Sequence, residues 1–505
     1  MIFVFLNQPN YEYEVHSLIK AFFPREDVEL YYTCPEEAVQ GKNVACMHRD
    51  AGDLTEEELA GASNLLEVCY RETETELCWK ILPSGVGNEK RICFPVDGDR
   101  SSGKNALKQQ LYRMLSDICG RTLPWGSLTG IRPAKIARTL LDEGRTEAEI
   151  AAHMRDTYFT SDEKIRLAID IAKREKALLS RIDYESGYSL YLGIPFCPST
   201  CLYCSFTSYP LGAWKTRVDD YLDALEREID FAAGQLRDRK LNSVYIGGGT
   251  PTTLEPHQLD RLIGKIRDSF DFSHCLEFTV EAGRPDSITR EKLEVLRKHE
   301  ISRISINPQT MKQETLDLIG RHHTVEQTVE SFRLARELGF DNINMDLIMG
   351  LPEETIDDVR NTMEQLAALA PDNITVHSLA VKRAARLNIQ KELYEKMQMV
   401  NTQEHMDLCA DYCARMGLFP YYMYRQKGMA GNMENVGYAK PEMAGIYNVL
   451  MIEEVQTIVA LGAGSISKRV YPDGRITRCE NVKEVSQYIE RIGEMIERKR
   501  VLFRD

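Results

Sequence analysis

The chain has 505 residues, 43% of them apolar, a length that favours two or three domains with full-sized buried cores. A formal charge of −14 removes any global electrostatic attraction to nucleic acid or anionic lipid. The opening MIFVFLNQPN carries an apolar run of six with no basic flank, and no later stretch approaches the ~18 apolar residues of a membrane span, so a soluble cytoplasmic protein is expected.

Residues 1–180 mix short strand-like runs with helical periodicity. DVELYYT and the hairpin candidate LLEVCYRE/TELCWKILP supply the first, and GKNALKQQLYRMLSDI, TEAEIAAHMRDTY and DEKIRLAIDIAKREKALL the second. An N-terminal α+β accessory region with a helical link is expected. Its segments around His48-Arg49 and from Trp125 to Gly130 are read as structural.

Over residues 181–385 strands and helices alternate. YSLYLGIPF, SVYIGGGTPT, LEFTVEAG, RISINPQT, INMDLIMGLP and NITVHSLAV are separated by amphipathic stretches such as VDDYLDALEREIDFAAGQL and TVEQTVESFRLARELG. Strands buried on both faces and joined by crossover helices predict a parallel α/β sheet. Six units are too few to close a barrel of eight, so an open, partial (βα)6 barrel is expected, with its chemistry at the strand carboxyl ends. Over residues 386–505 the alternation stops. A long helix through KELYEKMQMVNTQEHMDLCADYCARMGL and a segment rich in Gly and Tyr predict a helical and mixed C-terminal cap.

Of 13 cysteines, most stand singly in apolar runs, as small buried hydrophobes do in a reducing compartment. Only CPSTCLYC has ligand spacing, with Cys197, Cys201 and Cys204 in the loop after the first barrel strand. Close-set thiolates select zinc, copper(I) or an iron–sulfur cluster. A closed zinc site needs a fourth ligand, and the next histidines, His257 and His274, lie far downstream. Three thiolates on a cubane leave one iron open for another ligand.

GGGTPT, from Gly247 to Thr252, ends the second strand, where glycines allow close backbone approach and expose N–H and C=O groups. Glu281, Gln309 and Asp346 end the next three strands. They either satisfy loop backbones or form one polar rim. Arg321 with His322-His323 reads, taken alone, as a solvated helix end.

The C-x₃-C-x₂-C spacing resembles the radical S-adenosylmethionine superfamily. YLGIPFCPSTCLYCSF, YIGGGTPT, the interval from Gln309 to Arg321, NMDLIMGLPEET and LGAGS together resemble the oxygen-independent coproporphyrinogen III oxidases. CLYCSFTSYP and GIRPAK are similar to the longer HemZ-type branch of that family. The resemblance implies a radical oxidoreductase with a [4Fe-4S] cluster on Cys197, Cys201 and Cys204. It implies that Tyr191, Gly248 and Glu281 bind the S-adenosylmethionine on that cluster. Tyr203, Gly249, Thr250, Gln309, Arg321 and Asp346 match positions that hold a second such molecule. The implied reaction is oxidative decarboxylation of coproporphyrinogen III propionates to vinyl groups, giving protoporphyrinogen IX in haem biosynthesis. A cytosolic electron donor such as flavodoxin or ferredoxin would serve it.

Two departures from the oxidase pattern are Phe206, where a fourth cysteine is expected, and Gly193, where a histidine is expected. Related haem chaperones also carry phenylalanine at the first position, but Tyr447 stands where they have histidine. A tetrapyrrole carrier and a radical enzyme acting on haem are therefore alternatives. The cap offers Lys382, Arg383, Arg386, Arg425 and Lys427 as possible carboxylate partners, most of them read as solvated.

Overall fold

The computed structural model describes residues 1–8, 10–33, 49, 51–82, 89–95, 100–130, 132–206, 208–380, 385, 397–426 and 429–504. His48, Lys382, Arg383, Arg386, Lys427 and the start of the expected C-terminal helix lie outside the described residues. Two compact units are present. One comprises Met1–Pro133, Leu140–Ala168 and Gln426–Asn432, and the other Ala134–Thr139, Ile169–Arg425 and Met433–Asp505. Among the described residues no helix is long and apolar enough to cross a membrane.

The first unit holds a five-stranded sheet of β1 (Ile2–Leu6), β2 (Val28–Tyr32), β3 (Asn64–Tyr70), β4 (Glu74–Ile81) and β5 (Glu89–Pro95), ordered β2-β1-β3-β4-β5. β1 pairs in parallel with β2 and β3, while β3–β4 and β4–β5 are antiparallel, so the expected hairpin forms. The helix Glu12–Phe22 crosses from β1 to β2 and buries Val15, Leu18, Ile19 and Phe22 in one core with Trp79 and Leu115. The three helices expected further on run Arg100–Cys119, Glu147–Tyr158 and Asp162–Leu179. Thr146 starts the second of them with a capping box: its hydroxyl accepts from Glu149 N at 3.3 Å, and its own N–H donates to the Glu149 carboxylate at 2.8 Å.

The second unit is α/β. Its parallel strands β6 (Gly187–Ile194), β9 (Lys240–Gly248), β10 (Glu277–Gly283), β11 (Arg303–Ile306), β12 (Ile343–Met349) and β13 (Asn373–Ser378) lie side by side in that order. The pair β7 (Phe196–Cys197) and β8 (Tyr209–Pro210) forms a separate small ribbon. The helices Val218–Gln235, Pro256–Ser269, Arg290–Lys298, Val325–Glu337 and Ile356–Leu369 connect successive barrel strands. This is the open (βα)6 array expected from the alternation.

The C-terminal region adds five strands to the same sheet. β14 (Phe419–Tyr424) and β15 (Asn435–Ala439) continue it antiparallel beyond β13. β16 (Thr457–Leu461) joins β6 in parallel and leads to β17 (Ile466–Val470) and β18 (Ile476–Glu480). The expected long helix is shorter, Gln403–Arg415, and residues 397–402 are not helical. Asn401 and Thr402 stop it. The Asn401 amide donates to Ser378 Oγ at 2.9 Å, and the Thr402 hydroxyl meets His405 Nδ1 at 2.8 Å.

The apolar face of the barrel strands is buried, whereas the opposite face is polar and is buried at Arg303, Ser305 and Asn344 but only half-buried at Tyr191, Tyr245, Glu281, Asp346 and His377. Leu190, Leu192, Val244, Ile246, Phe278, Val280, Ile304 and Ile306 make the apolar face. At alternate positions stand Tyr191, Tyr245, Glu281, Arg303, Ser305, Asn344, Asp346 and His377, the set that the period of two places opposite. Cross-strand bonds join this polar face: Ser189 Oγ to Ser243 Oγ at 2.7 Å, and Thr375 Oγ1 to Asn344 Oδ1 at 3.0 Å.

A buried ion pair ties the last segment to the first barrel helix. Glu228 and Lys499, both fully buried, meet at 2.6 Å. The Glu228 carboxylate also accepts from Asn481 Nδ2, Gly462 N and Tyr488 Oη at 2.6–2.8 Å, so every oxygen is satisfied. Removing one partner of such a pair leaves an uncompensated buried charge, which costs roughly 3–5 kcal/mol. Glu228→Ala is expected to lower the stability of this unit by about that amount in denaturant unfolding. The double variant Glu228→Leu/Lys499→Met should recover only the part owed to the uncompensated Lys499 charge, because Gly462 N, Asn481 Nδ2 and Tyr488 Oη still lose their acceptor.

Candidate cofactor site at the strand carboxyl ends

The cysteine loop leaves β6 through a junction that has no space for side chains. Gly249 N donates to Ile194 O and Thr250 N to Phe196 O, both at 2.7 Å. A Cβ on Gly249 would lie 2.6 Å from Phe196 O, and one on Gly462 would lie 2.5 Å from Gly193 O. Gly248 has φ +109°. The glycine turn therefore spends the N–H groups of Gly249 and Thr250 inside the protein. This corrects the expectation that the turn exposes those donors.

Three successive loops hold the cysteine loop in place. Thr250 Oγ1 lies 3.4 Å from Cys197 Sγ. Arg284, after β10, reaches Ser199 Oγ at 2.9 Å and Cys201 Sγ at 3.7 Å. Leu202 N donates to Ile319 O at 2.9 Å, Ser199 Oγ to Gly320 O at 3.0 Å, and Arg321 Nη1 to Tyr203 Oη at 3.1 Å. Burial pushes the Cys197 thiol up to about 11, with the fields of Cys204 and Cys201 adding to it, and burial also raises Cys204.

Among the described residues no set of three or more His, Cys, Asp or Glu side chains converges as a single metal ion requires. The fit to a polynuclear cluster rests on donor chemistry. Burial and the neighbouring thiols raise the cost of ionising Cys197 and Cys204, and iron bound to the loop would offset that cost. Two buried guanidinium groups, Arg284 and Arg321, each 3% exposed, lie where they would counter the remaining negative charge.

Beside the loop the polar face forms a rim. Tyr245 Oη donates to Glu281 Oε1 at 2.5 Å, and Tyr191, Tyr245 and Tyr447 stack with centroids 4.6–6.3 Å apart. Burial pushes the Glu281 carboxyl up to about 7; Tyr245 opposes the rise, the Asp346 charge adds to it and Arg303 opposes it. Asp346 goes the other way: the influence of His377, 3.8 Å away, and the bond from Asn344 at 2.7 Å outweigh its burial and hold it below the usual range. Gln309 sits at φ 71°, held by its N–H to Asp346 O at 2.9 Å and its carbonyl to Ile348 N at 3.0 Å. A left-handed glutamine is a strained backbone position, and such positions cluster at ligand sites.

Every residue expected at the site belongs to one of two linked groups. Tyr191, Gly248, Glu281, Gln309 and Asp346 share the rim, while Gly249, Thr250, Tyr203 and Arg321 back the loop of Cys197, Cys201 and Cys204. Arg321 and His323 are buried, so the reading of that segment as a solvated helix end fails for both; only His322 is exposed. Around the rim Gln309 Oε1, Asn307 Oδ1, Ser305 Oγ, Thr279 Oγ1, Arg321 Nε and two Arg303 nitrogens are buried without a hydrogen-bond partner. Each such group costs roughly 1–3 kcal/mol, and their concentration here is what a polar ligand would relieve. Tyr245, Arg284 and Arg303 were not anticipated, and Tyr447 was singled out only as standing where haem chaperones have histidine. Tyr245 and Arg303 were detectable from the period of two that puts them on the Glu281 face, whereas Arg284 carries no local signal.

The description "Radical SAM superfamily" matches residues 191–366. The HemZ protein of Bacillus subtilis, described as oxygen-independent coproporphyrinogen-III oxidase-like, is 41% identical over 78% of this chain and 80% of its own length. The heme chaperone HemW of Bacillus subtilis is 32% identical over 61% of this chain and 76% of its own. Among solved structures, coproporphyrinogen III oxidase (HemN) from Escherichia coli covers 64% of this chain and 73% of its own, with 25% identity and a TM-score of 0.49. The chain belongs to the radical SAM superfamily and, within it, to the family of HemZ-like, oxygen-independent coproporphyrinogen-III oxidase-like proteins.

Proposed function

We propose that the chain is a radical S-adenosylmethionine oxidoreductase that decarboxylates the propionate arms of coproporphyrinogen III to vinyl groups. Membership of the superfamily implies a [4Fe-4S] cluster and S-adenosylmethionine. The observation that supports the finer reading is the rim of Glu281, Gln309 and Asp346 beside the three-cysteine loop that Arg321 backs, with unpartnered polar atoms around them.

Cys197, Cys201 and Cys204 are read as the cluster ligands, and Tyr191, Gly248 and Glu281 as the residues that hold the first S-adenosylmethionine. When bound, the reduced cluster supplies the electron that splits the sulfonium and frees a 5′-deoxyadenosyl radical. Tyr203, Gly249, Thr250, Gln309, Arg321 and Asp346 are read as the seat of a second molecule. Ionised Asp346 offers acceptors to cationic or hydroxyl groups, while Arg321 offers donors to a carboxylate. In the substrate, a hydrogen atom of the propionate β-carbon would pass to the 5′-deoxyadenosyl radical, giving 5′-deoxyadenosine, and loss of CO₂ with transfer of one electron to a one-electron acceptor would leave the vinyl group. The protein's part is to orient the propionate and exclude water. A low-potential donor of the flavodoxin or ferredoxin class fits this scheme. In this scheme residues 1–180 form an accessory region, 181–385 the barrel that carries the cofactors and 386–505 a C-terminal cap.

A haem-carrier reading draws on one observation. Phe206, beside the third cysteine, is 70% exposed, and the heme chaperone HemW is among the relatives. Against it, Tyr447 is buried in the tyrosine stack and presents no open haem ligand.

Glu281 gives the first test. With its carboxyl near 7, about a tenth is ionised at pH 6 and about nine tenths at pH 8. Affinity of the reconstituted protein for S-adenosylmethionine, measured by calorimetry, should therefore rise roughly tenfold between those pH values. Glu281→Gln should flatten the profile at weak binding, and a steep profile in that variant would assign the titration to another group.

Turnover gives the second. Strictly anaerobic incubation with reductant, S-adenosylmethionine and coproporphyrinogen III should yield vinyl product and CO₂, both abolished in Cys204→Ala. A loaded protein that cleaves S-adenosylmethionine but leaves the porphyrinogen intact, and instead binds haem one to one, would replace the oxidase reading with the carrier.

A further inference from the structure

Arg284 lies immediately after β10 in the turn Gly283-Arg284-Pro285, close enough to the cysteine loop to counter thiolate charge, and the decarboxylation itself makes no use of it. It is 3% exposed and all three of its nitrogens are engaged. Nε and Nη2 donate to the two carboxylate oxygens of Asp286 at 3.0 and 2.7 Å. Nη1 donates to Ser199 Oγ at 2.9 Å and to Ser199 O at 3.3 Å, and lies 3.7 Å from Cys201 Sγ. The fork on Asp286 fixes the guanidinium plane, so the third nitrogen is held toward the thiol rather than left to search for it.

A cation with an N–H directed at a ligand sulfur, in a buried setting, acts on the electron affinity of whatever that sulfur binds. Hydrogen bonds to sulfur and local net charge are two of the levers that set iron–sulfur potentials. Reduction of a [4Fe-4S] cluster by one electron adds one negative charge, makes and breaks no bond to the protein, and draws on a low-potential one-electron donor. The added charge is favoured beside the guanidinium and disfavoured beside the Asp286 carboxylate.

Resting on the reading of Cys201 as a cluster ligand, we propose that Arg284 is a positioning residue that raises the reduction potential of the cluster, with Asp286 both aiming its guanidinium and attenuating its charge. The pair thus works as two opposed settings on one electron-transfer site. A latch that only ties down the cysteine loop would have no such opposition.

The test uses the full-length chain, reconstituted anaerobically, as wild type, Arg284→Gln, Arg284→Lys and Asp286→Asn. Iron and sulfide per chain are counted, and the midpoint is read by electron paramagnetic resonance during titration with dithionite. At wild-type iron content, Arg284→Gln should shift the midpoint to more negative values and Asp286→Asn to less negative ones. Arg284→Lys should fall between Arg284→Gln and wild type. Coincident midpoints in loaded proteins, or shifts of one sign in Arg284→Gln and Asp286→Asn, would overturn the proposal. If Arg284→Gln fails to hold iron, the sign of the Asp286→Asn shift decides alone. A wild-type chain that takes up no iron would instead remove the ligand reading on which the proposal stands.

Discussion

The site depends on one steric constraint, the contact of bare backbone where β6, the glycine turn after β9 and the end of β16 converge. The closest approaches, from Gly249 to Phe196 O and from Gly462 to Gly193 O, leave no volume for a Cβ. Because Gly249 and Thr250 donate to the carbonyls of Ile194 and Phe196, the direction in which the chain leaves β6 is set by hydrogen bonds rather than by side-chain packing. The cysteine loop begins at that exit. On the other side, Tyr221 Oη donates to Gly193 O at 2.6 Å and accepts from Ala463 N at 3.1 Å, while Gly462 N binds Glu228. The ion pair of Glu228 with Lys499 is thus one step removed from the cysteine loop, and the C-terminal strands complete the site as well as the sheet.

A second consequence follows from burying a polar strand face. Inside a low-dielectric interior each charge on that face is felt by its neighbours, which is why Glu281 and Asp346 separate, one close to neutrality and the other held ionised. Two carboxylates in one field with different protonation present different faces to a cationic ligand. Tyr245 donates to Glu281, and Asn344 donates to Asp346. The rim is therefore pre-set for charge even though several of its neutral acceptors lack partners.

Much of this was legible in the amino-acid order. The six strands, their crossover helices and the N-terminal hairpin follow from periodicity, because a two-residue or 3.6-residue repeat is local information. CPSTCLYC and GGGTPT stood out because thiolate spacing and consecutive glycines have few structural alternatives. What remained hidden is set by tertiary contact. KELYEKMQMVNTQEHMDL reads as one helix until Asn401 bonds Ser378 and Thr402 turns to His405. Strands β14 to β18 are short, and their place at both edges of the barrel sheet comes from pairing with β13 and β6, which no window of sequence contains. Arg284 is a charge in a turn until the fold brings Ser199 and Cys201 to it.

The two departures from the oxidase pattern fall on opposite sides of this arrangement. Gly193 is buried at the backbone junction, yet a Cβ there would meet nothing closer than 3.5 Å, so its identity is not demanded by the steric constraint that governs Gly249 and Gly462. Phe206, two residues after Cys204, is 70% exposed. Neither change touches the three thiols or the rim of Glu281, Gln309 and Asp346. The cofactor machinery is thereby separable from what approaches it. An exposed apolar ring can meet a visiting molecule without moving the groups behind it, and both oxidases and chaperones stand among the names of the relatives.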